Sequence, residues 1–171
     1  MFFKNDLINK LKKFKIKYEI TEHEALYTVQ DSKDKRVGLY GAHSKNLFLK
    51  NKKNNFFLIS CEEHEQINLK KISKSMNLGN ASFAKEEYLL SLLGIKPGSV
   101  SPFALINDNE NVVGFFLEKK LYDSEYVNFH PLINTSTITI QTIQFINFMI
   151  ENNKKIHIFS STEGAIIKTY E

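Results

Sequence analysis

Apolar and polar positions recur along this chain with two different periods, and the changes of period mark its elements. Leu7, Leu11 and Phe14 fall at i, i+4 and i+7, which predicts an amphipathic helix from Asn5 to about Lys15 with lysines outside. Tyr18–Thr21 is a short strand candidate, and the mixed stretch Ala25–Arg36 has room for a helix starting near Thr28. Leu47–Lys50 and Phe56–Ser60 are apolar runs joined by polar Asn51–Asn55, the pattern of a hairpin. Leu69, Ile72 and Met76 share a helical face that stops before Gly79. A further helix is predicted over Lys85–Leu93, with Tyr88, Leu89 and Leu92 inward and Gly94 as its stop. Pro97, Gly98 and Pro102 keep Ile95–Pro102 out of a helix. Phe103–Ile106 and Val112–Leu117 then suggest a second hairpin around Asn107–Asn111. Tyr126–Phe129 and the β-branched Thr137–Ile140 are strand candidates, Ile143–Ile150 is an apolar and therefore buried helix, and His157–Phe159 is a last short strand. The tail after Ser160 is expected to be loosely held. Helices interleaved with strands and hairpins predict an α/β (α+β) domain with a mixed sheet and no regular βαβ repeat.

Composition narrows the picture. With 171 residues, 42% of them hydrophobic, the chain is most simply one domain spanning 1–171, large enough to bury a core without disulfides or metals. No apolar run approaches the roughly 20 residues of a membrane span, and the first residues lack the long apolar stretch of a secretory signal. A lone cysteine, Cys61, excludes an internal disulfide and suits a reducing compartment, so a cytoplasmic location is expected. Cys61 follows an apolar strand and is expected to be a packed or edge thiol. The net charge of +4 is carried by lysines, with Arg36 the one arginine. Lysines cluster at positions 10–17, 50–53 and 70–74, which is compatible with phosphate binding and equally with solvated helix faces.

Three segments pair polar groups with residues that shape the backbone. In Gly41–Leu49, a glycine-led loop delivers His43, Ser44, Lys45 and Asn46 onto a strand beginning at Leu47. Lys45 can contact a phosphate or carbonyl and Asn46 can hydrogen-bond an amide, but a capped strand start would look the same. In Gly98–Ser99–Val100–Ser101–Pro102, the glycine lets a ligand approach and the proline fixes the carbonyls and amides. Backbone groups held this way can grip an amino group or polarise an ester; an ordinary helix-to-strand connection is the plain alternative. In Phe129–His130–Pro131–Leu132–Ile133–Asn134, the proline holds His130 in extended backbone. His130 can bind substrate, exclude a bulky one or move a proton, or it is a buried structural histidine. The five histidines lack metal-ligand spacing, and neither a Gly-x-Ser-x-Gly elbow nor a phosphate-binding Gly-x-x-x-x-Gly-Lys loop occurs. No metal and no cofactor is expected; an enzyme built on this chain would act by positioning.

Taken in order, Lys45–Asn46–Leu47–Phe48–Leu49, Gly98-x-x-x-Pro102 and His130–Pro131–Leu132-x-Asn134 resemble the editing-domain superfamily associated with prolyl-tRNA synthetase (the YbaK type), and within it the free-standing alanyl-tRNA(Pro) deacylase branch. Glu22–His23, Tyr27–Thr28–Val29 and Leu93–Gly94-x-x-Pro97–Gly98 add to the match, which runs from about residue 15 to 155; Glu24 departs from it where a proline commonly follows the histidine. The resemblance implies a mixed, mainly antiparallel, barrel-like sheet surrounded by helices, and hydrolysis in trans of the ester of mischarged alanyl-tRNA(Pro). It implies catalytic positions at Lys45, Asn46, Gly98 and His130, and substrate contacts at His43, Ser44, Ser99, Val100, Ser101, Pro102 and Asn134. The partner implied is tRNA, at its acceptor stem and charged 3′ end, with prolyl-tRNA synthetase a second candidate and no membrane. Two alternatives stay open: a deacylase of the same family for cysteine, serine or a non-protein residue, and a non-catalytic tRNA-binding module docked on a synthetase.

Overall fold

The computed structural model describes residues 1–25 and 38–171. The helix expected near Thr28, together with Tyr27–Val29 and Arg36, lies outside the described residues. Helix α1 spans Lys4–Lys13, where the Asp6 carboxylate accepts the Phe3 N–H at 2.8 Å and Lys10, Lys12 and Lys13 complement the negative C-terminal end. It buries Leu7 and Leu11. Strand β1 is Tyr18–Glu22, β2 Ala42–Asn51 and β3 Phe56–Glu62; helix α2 is Leu69–Ser75 and β4 Ala81–Phe83. Helix α3 starts at Glu86, widens into a π-turn over Leu89–Leu93 and stops at Gly94, whose φ of 65° is left-handed. After the 3-10 helix Pro102–Asn107 come β5 (Val113–Glu118), α4 (Lys119–Asp123), β6 (Tyr126–Phe129), β7 (Ser136–Gln141), α5 (Thr142–Glu151), β8 (Ile156–Ser160) and β9 (Ala165–Tyr170).

The sheet runs β1-β7-β6-β2-β3-β5-β8-β9, with β4 added on β2. Pairs β2–β6, β3–β5 and β5–β8 are parallel and the others antiparallel, so the sheet is mixed but largely antiparallel, as expected. Strand β2 joins the two halves. Its first residues pair with β6 (Ala42↔Val127) and the rest with β3 (Ser44↔Glu62 to Lys50↔Phe56). Both halves face one core, which takes Phe48, Leu58, Phe115 and Leu117 from one side and Val127, Phe129, Ile138 and Ile140 from the other. Phe103 sits within it, edge-on to Phe129, Phe145 and Phe148 at 5.6–5.9 Å between ring centroids. Leu49, Ile59 and Phe116, on the opposite face of the sheet, pack against Ile72 and Met76 of α2.

Three expectations give way. Strand β2 begins at Ala42 rather than Leu47, so His43–Asn46 belong to the strand itself. Phe103–Ile106 is not half of a hairpin. Ser101 Oγ accepts the Phe103 N–H, Pro102 presets the first turn, and the segment is buried throughout as a 3-10 helix. The Asp108 carboxylate then accepts the N–H groups of Val112 and Val113 at 3.0 and 2.9 Å, directing β5 to pair parallel with β3. The tail after Ser160 is also not loose: it returns as β9, registered on β8, and the Tyr170 hydroxyl meets that of Tyr122 at 2.9 Å.

Candidate active site

Gly41 sets the site's entrance. Its φ is +83°, and a Cβ there would lie 2.8 Å from Cβ and the carbonyl oxygen of Tyr126, so only glycine lets the start of β2 press onto β6. Beside this contact His43, Ser44, Asn46, Asn128, Phe129, His130 and Thr137 line a crevice of about 20 Å³, room for about one water. Its polar groups are ordered by one another. Ser60 Oγ donates to Asn46 Oδ1 at 2.5 Å, which turns the Asn46 amide nitrogen toward Ser44 Oγ at 3.3 Å, and Ser44 Oγ donates to the Asn128 carbonyl at 2.9 Å. Asn46 uses one N–H in this chain and keeps the other. The Asn128 side chain donates to the Tyr40 and Ala42 carbonyls and accepts from Thr139 Oγ1 at 2.6 Å, pinning β2, β6 and β7 together.

The His130 ring is oriented by its own loop. Nδ1 lies 2.9 Å from the Ser136 carbonyl, which can only accept, so Nδ1 carries a proton. The loop that holds it includes Leu132 at a φ of +67°, a costly conformation for a branched residue, in a buried Pro131–Leu132 pair. His23 stands beside it, with ring centroids 6.1 Å apart. Its Nδ1 donates to the Glu24 carbonyl and its Nε2 meets Thr137 Oγ1, each at 2.8 Å. Asn134 lies in the turn between β6 and β7 and is half-buried.

The predicted residues are thus only partly brought together. His43, Ser44, Asn46 and His130 share the crevice. Lys45, between two of them on a strand, points away: its ammonium donates to the Glu65 carbonyl. Gly98 is exposed, Ser99 and Ser101 are buried, Val100 is half-buried, and none of Gly98–Pro102 lines the crevice among the described residues. Ser101 and Pro102 are occupied in starting the 3-10 helix. Sequence reasoning passed over His23 as a site residue, and Asn128 and Thr137 too. Asn128 had a signal, as a polar residue in the otherwise apolar Tyr126–Phe129 run.

Behind Lys45 lies Cys61, fully buried as expected of a packed thiol, with Sγ directed at the Lys45 carbonyl at 3.7 Å. Burial pushes its pKa up to about 12, so it stays a thiol and not a nucleophile. Nearby, Glu65 is held below the usual carboxylate range by its hydrogen bond from Lys120, while burial pushes Glu118 up. Glu62, Glu63 and His64 bring potential metal-ligand atoms within 4.8 Å of one another at the end of β3, outside the crevice. Among the described residues no helix is long and apolar enough to cross a membrane.

A family model described as an aminoacyl-tRNA editing domain matches residues 23–148, a span that holds the whole crevice. The chain belongs to the aminoacyl-tRNA editing domain family. Relatives similar to this editing domain include prolyl-tRNA synthetase associated domain-containing protein 1 of Xenopus laevis, 34% identical over 151 residues covering 85% of this chain and 89% of the relative. The prolyl-tRNA editing protein ProX of Acetoanaerobium sticklandii is 30% identical over 138 residues, covering 80% of this chain and 84% of its own. A solved structure described as a candidate trans-editing enzyme for prolyl tRNA synthetase superposes with a TM-score of 0.66 at 16% identity, covering 91% of this chain and 96% of that one. That likeness establishes the fold: a largely antiparallel mixed sheet with surrounding helices.

Proposed function

We propose that this editing domain is a free-standing deacylase that hydrolyses, in trans, the ester of alanyl-tRNA(Pro). The observation that carries this reading is the crevice itself, where Ser44, Asn46 and His130 are held in fixed orientations by Ser60, Asn128 and Ser136 within an editing-domain chain. ProX, similar over most of its length, carries prolyl-tRNA editing in its name.

The chemistry suits such a site. A synthetase pocket built for proline rejects the smaller alanine weakly, because a missing methylene is worth only about 1–3 kcal/mol. A second site that admits alanine and excludes proline by size corrects the error. The aminoacyl ester is already activated, so a positioned water and a donor for the developing oxyanion suffice. The water oxygen bonds to the ester carbonyl carbon, and the second Asn46 N–H meets the carbonyl oxygen as it gains charge. The bond to the ribose 3′-oxygen then breaks, the adjacent 2′-hydroxyl taking a proton from the attacking water as it passes its own to the leaving oxygen, so that the free amino acid and an intact 2′,3′-diol leave. His130, with His43, forms the wall that limits the amino-acid side chain, and Asn134 buttresses its loop. Lys45, directed to the other side of β2, spends a donor on the Glu65 carbonyl and acts by fixing the strand that carries Ser44 and Asn46 rather than by touching the ester. The backbone of Gly98–Pro102 does not line the crevice and is assigned no contact with the reacting ester. Metal and cofactor have no assigned step. Prolyl-tRNA synthetase supplies the mischarged tRNA, and the cytosol is where the two meet.

The test is incubation of the purified chain with alanyl-tRNA(Pro). Free alanine released well above the buffer rate is expected; tRNA that stays charged at the buffer rate contradicts the reading.

A further inference from the structure

A much larger concavity lies at the other end of β2 from the crevice. It is an open groove of about 1020 Å³ between α2, β4, the β2–β3 turn and the start of α3. Five lysines line it (Lys50, Lys52, Lys70, Lys74 and Lys85), with no carboxylate among the lining residues. That local charge exceeds the net charge of the entire chain. The nearest acid contact is Glu87, 3.9 Å from Lys85 and well exposed. Phe83 projects from β4 into the lining of the groove with 65% of its surface exposed. Tyr88 is half-buried under Lys50, whose Nζ stands 5.0 Å from the ring centroid. Ser73, 5% exposed and lining the same groove, has a hydroxyl with no hydrogen-bond partner among the described residues. A lining of lysines with no carboxylate in it, exposed aromatic surface and hydrogen-bonding amides at Asn77 and Asn80 form the surface that a single-stranded nucleic acid fits.

We propose that this groove binds the single-stranded 3′ end of tRNA and the phosphates leading into its acceptor arm. Lys70 and Lys74 pair with phosphates, and Phe83 stacks on an unpaired base. This rests on the deacylase reading for the identity of the strand, and β2 supplies the ruler. Lys50 follows Asn46 by four residues on β2, so the groove begins about 13 Å from the crevice along the strand. An RNA strand whose terminal ester lies at Asn46 therefore passes into the groove within a few nucleotides. The same even spacing puts Asn46 and Lys50 on one face of β2. A lysine-lined groove so placed raises the local concentration of the tRNA end and leaves the crevice to judge the amino acid.

The experiment measures binding of uncharged tRNA(Pro) to the full chain by fluorescence anisotropy across a salt series, for wild type, Lys70→Ala/Lys74→Ala, Phe83→Ala and Lys12→Ala/Lys13→Ala. All five substituted side chains are on exposed positions, and circular dichroism confirms folding. The α2 double variant is expected to bind about tenfold or more weakly and to flatten the slope of log K against log salt by about 1.4, two single-strand phosphate contacts at about 0.7 each. Phe83→Ala should weaken binding about fivefold or more with the salt slope unchanged. The α1 double variant, which removes equal charge elsewhere, should keep the wild-type slope to within half a contact. Wild-type binding and slope in the α2 variant overturn the proposal, as does an equal loss in the α1 variant, which would make the effect one of diffuse charge. Because the readout needs no hydrolysis, a failed deacylation assay leaves this binding result standing, and a failed groove leaves deacylation intact.

Discussion

Asn46 is the side chain whose replacement bears most directly on the proposed chemistry. Its amide is oriented from both sides, by Ser60 on the oxygen and Ser44 on the nitrogen, so its remaining donor is fixed before substrate arrives. Asn46→Ala is expected to lower kcat on alanyl-tRNA(Pro) by roughly 10²–10³-fold, the loss typical of an oxyanion donor. KM should change little, and single-turnover deacylation checks it. A variant with wild-type kcat would remove Asn46 from the chemistry. Gly41 makes a steric prediction: Gly41→Ala places a Cβ 2.8 Å from Tyr126 backbone and side-chain atoms at a φ that already disfavours side chains. The β2–β6 contact must shift, so both thermal midpoint and activity are expected to fall, where the same substitution at exposed Gly38, with open space around it, leaves the crevice untouched. The motif residues Asn46 and His130 were legible in sequence because each stands in a recognisable string. His23 was legible only as part of the family match and Asn128 only as a polar residue in an apolar run, since their roles come from ring proximity and strand pairing, which a linear string does not encode.

Strand β2 shows why elements, not residues, decide which predicted groups converge. Beginning at Ala42 instead of Leu47, it imposes strand alternation on His43–Asn46 and sends Lys45 to the Glu65 side, away from its neighbours Ser44 and Asn46. The polar run gave no hint of this, because strand periodicity in sequence is visible only where apolar residues trace it. The 3-10 helix Pro102–Asn107 is a second case. An apolar run of that length is ambiguous between strand and buried helix, and the Ser101 and Asp108 side-chain bonds that decide it act on the backbone locally. Phe103, fully buried among three aromatic rings, makes this short element the keystone of the core. Phe103→Ala should cost about 3–5 kcal/mol in urea unfolding, the range for deleting a buried aromatic. A loss below about 1 kcal/mol would mean the core repacks freely around it.

Taken whole, the molecule couples a nearly neutral interior to a lysine-rich surface, and its pH response follows from a few groups. Burial and neighbouring Lys155 hold the His157 ring, stacked on Phe116, below its ordinary pKa. The unfolded chain therefore takes up that proton first as pH falls, and stability declines through the window below about pH 6.5. His157→Gln is expected to show a smaller difference in thermal midpoint between about pH 7 and pH 5.5 than wild type, even if it is less stable at both; an unchanged difference would assign the slope to other groups. The mixed sheet was legible from interleaved apolar periods and the family from three short motifs. The β9 return and the lysine groove were not, because both depend on segments far apart in sequence meeting in space. The central claim, that this domain clears alanine and spares proline, is tested most directly by kcat/KM on alanyl-tRNA(Pro) and prolyl-tRNA(Pro) side by side. The crevice wall at His130 predicts a preference for the alanyl ester of at least about 10²-fold; equal rates on the two esters, or hydrolysis of neither, would contradict it.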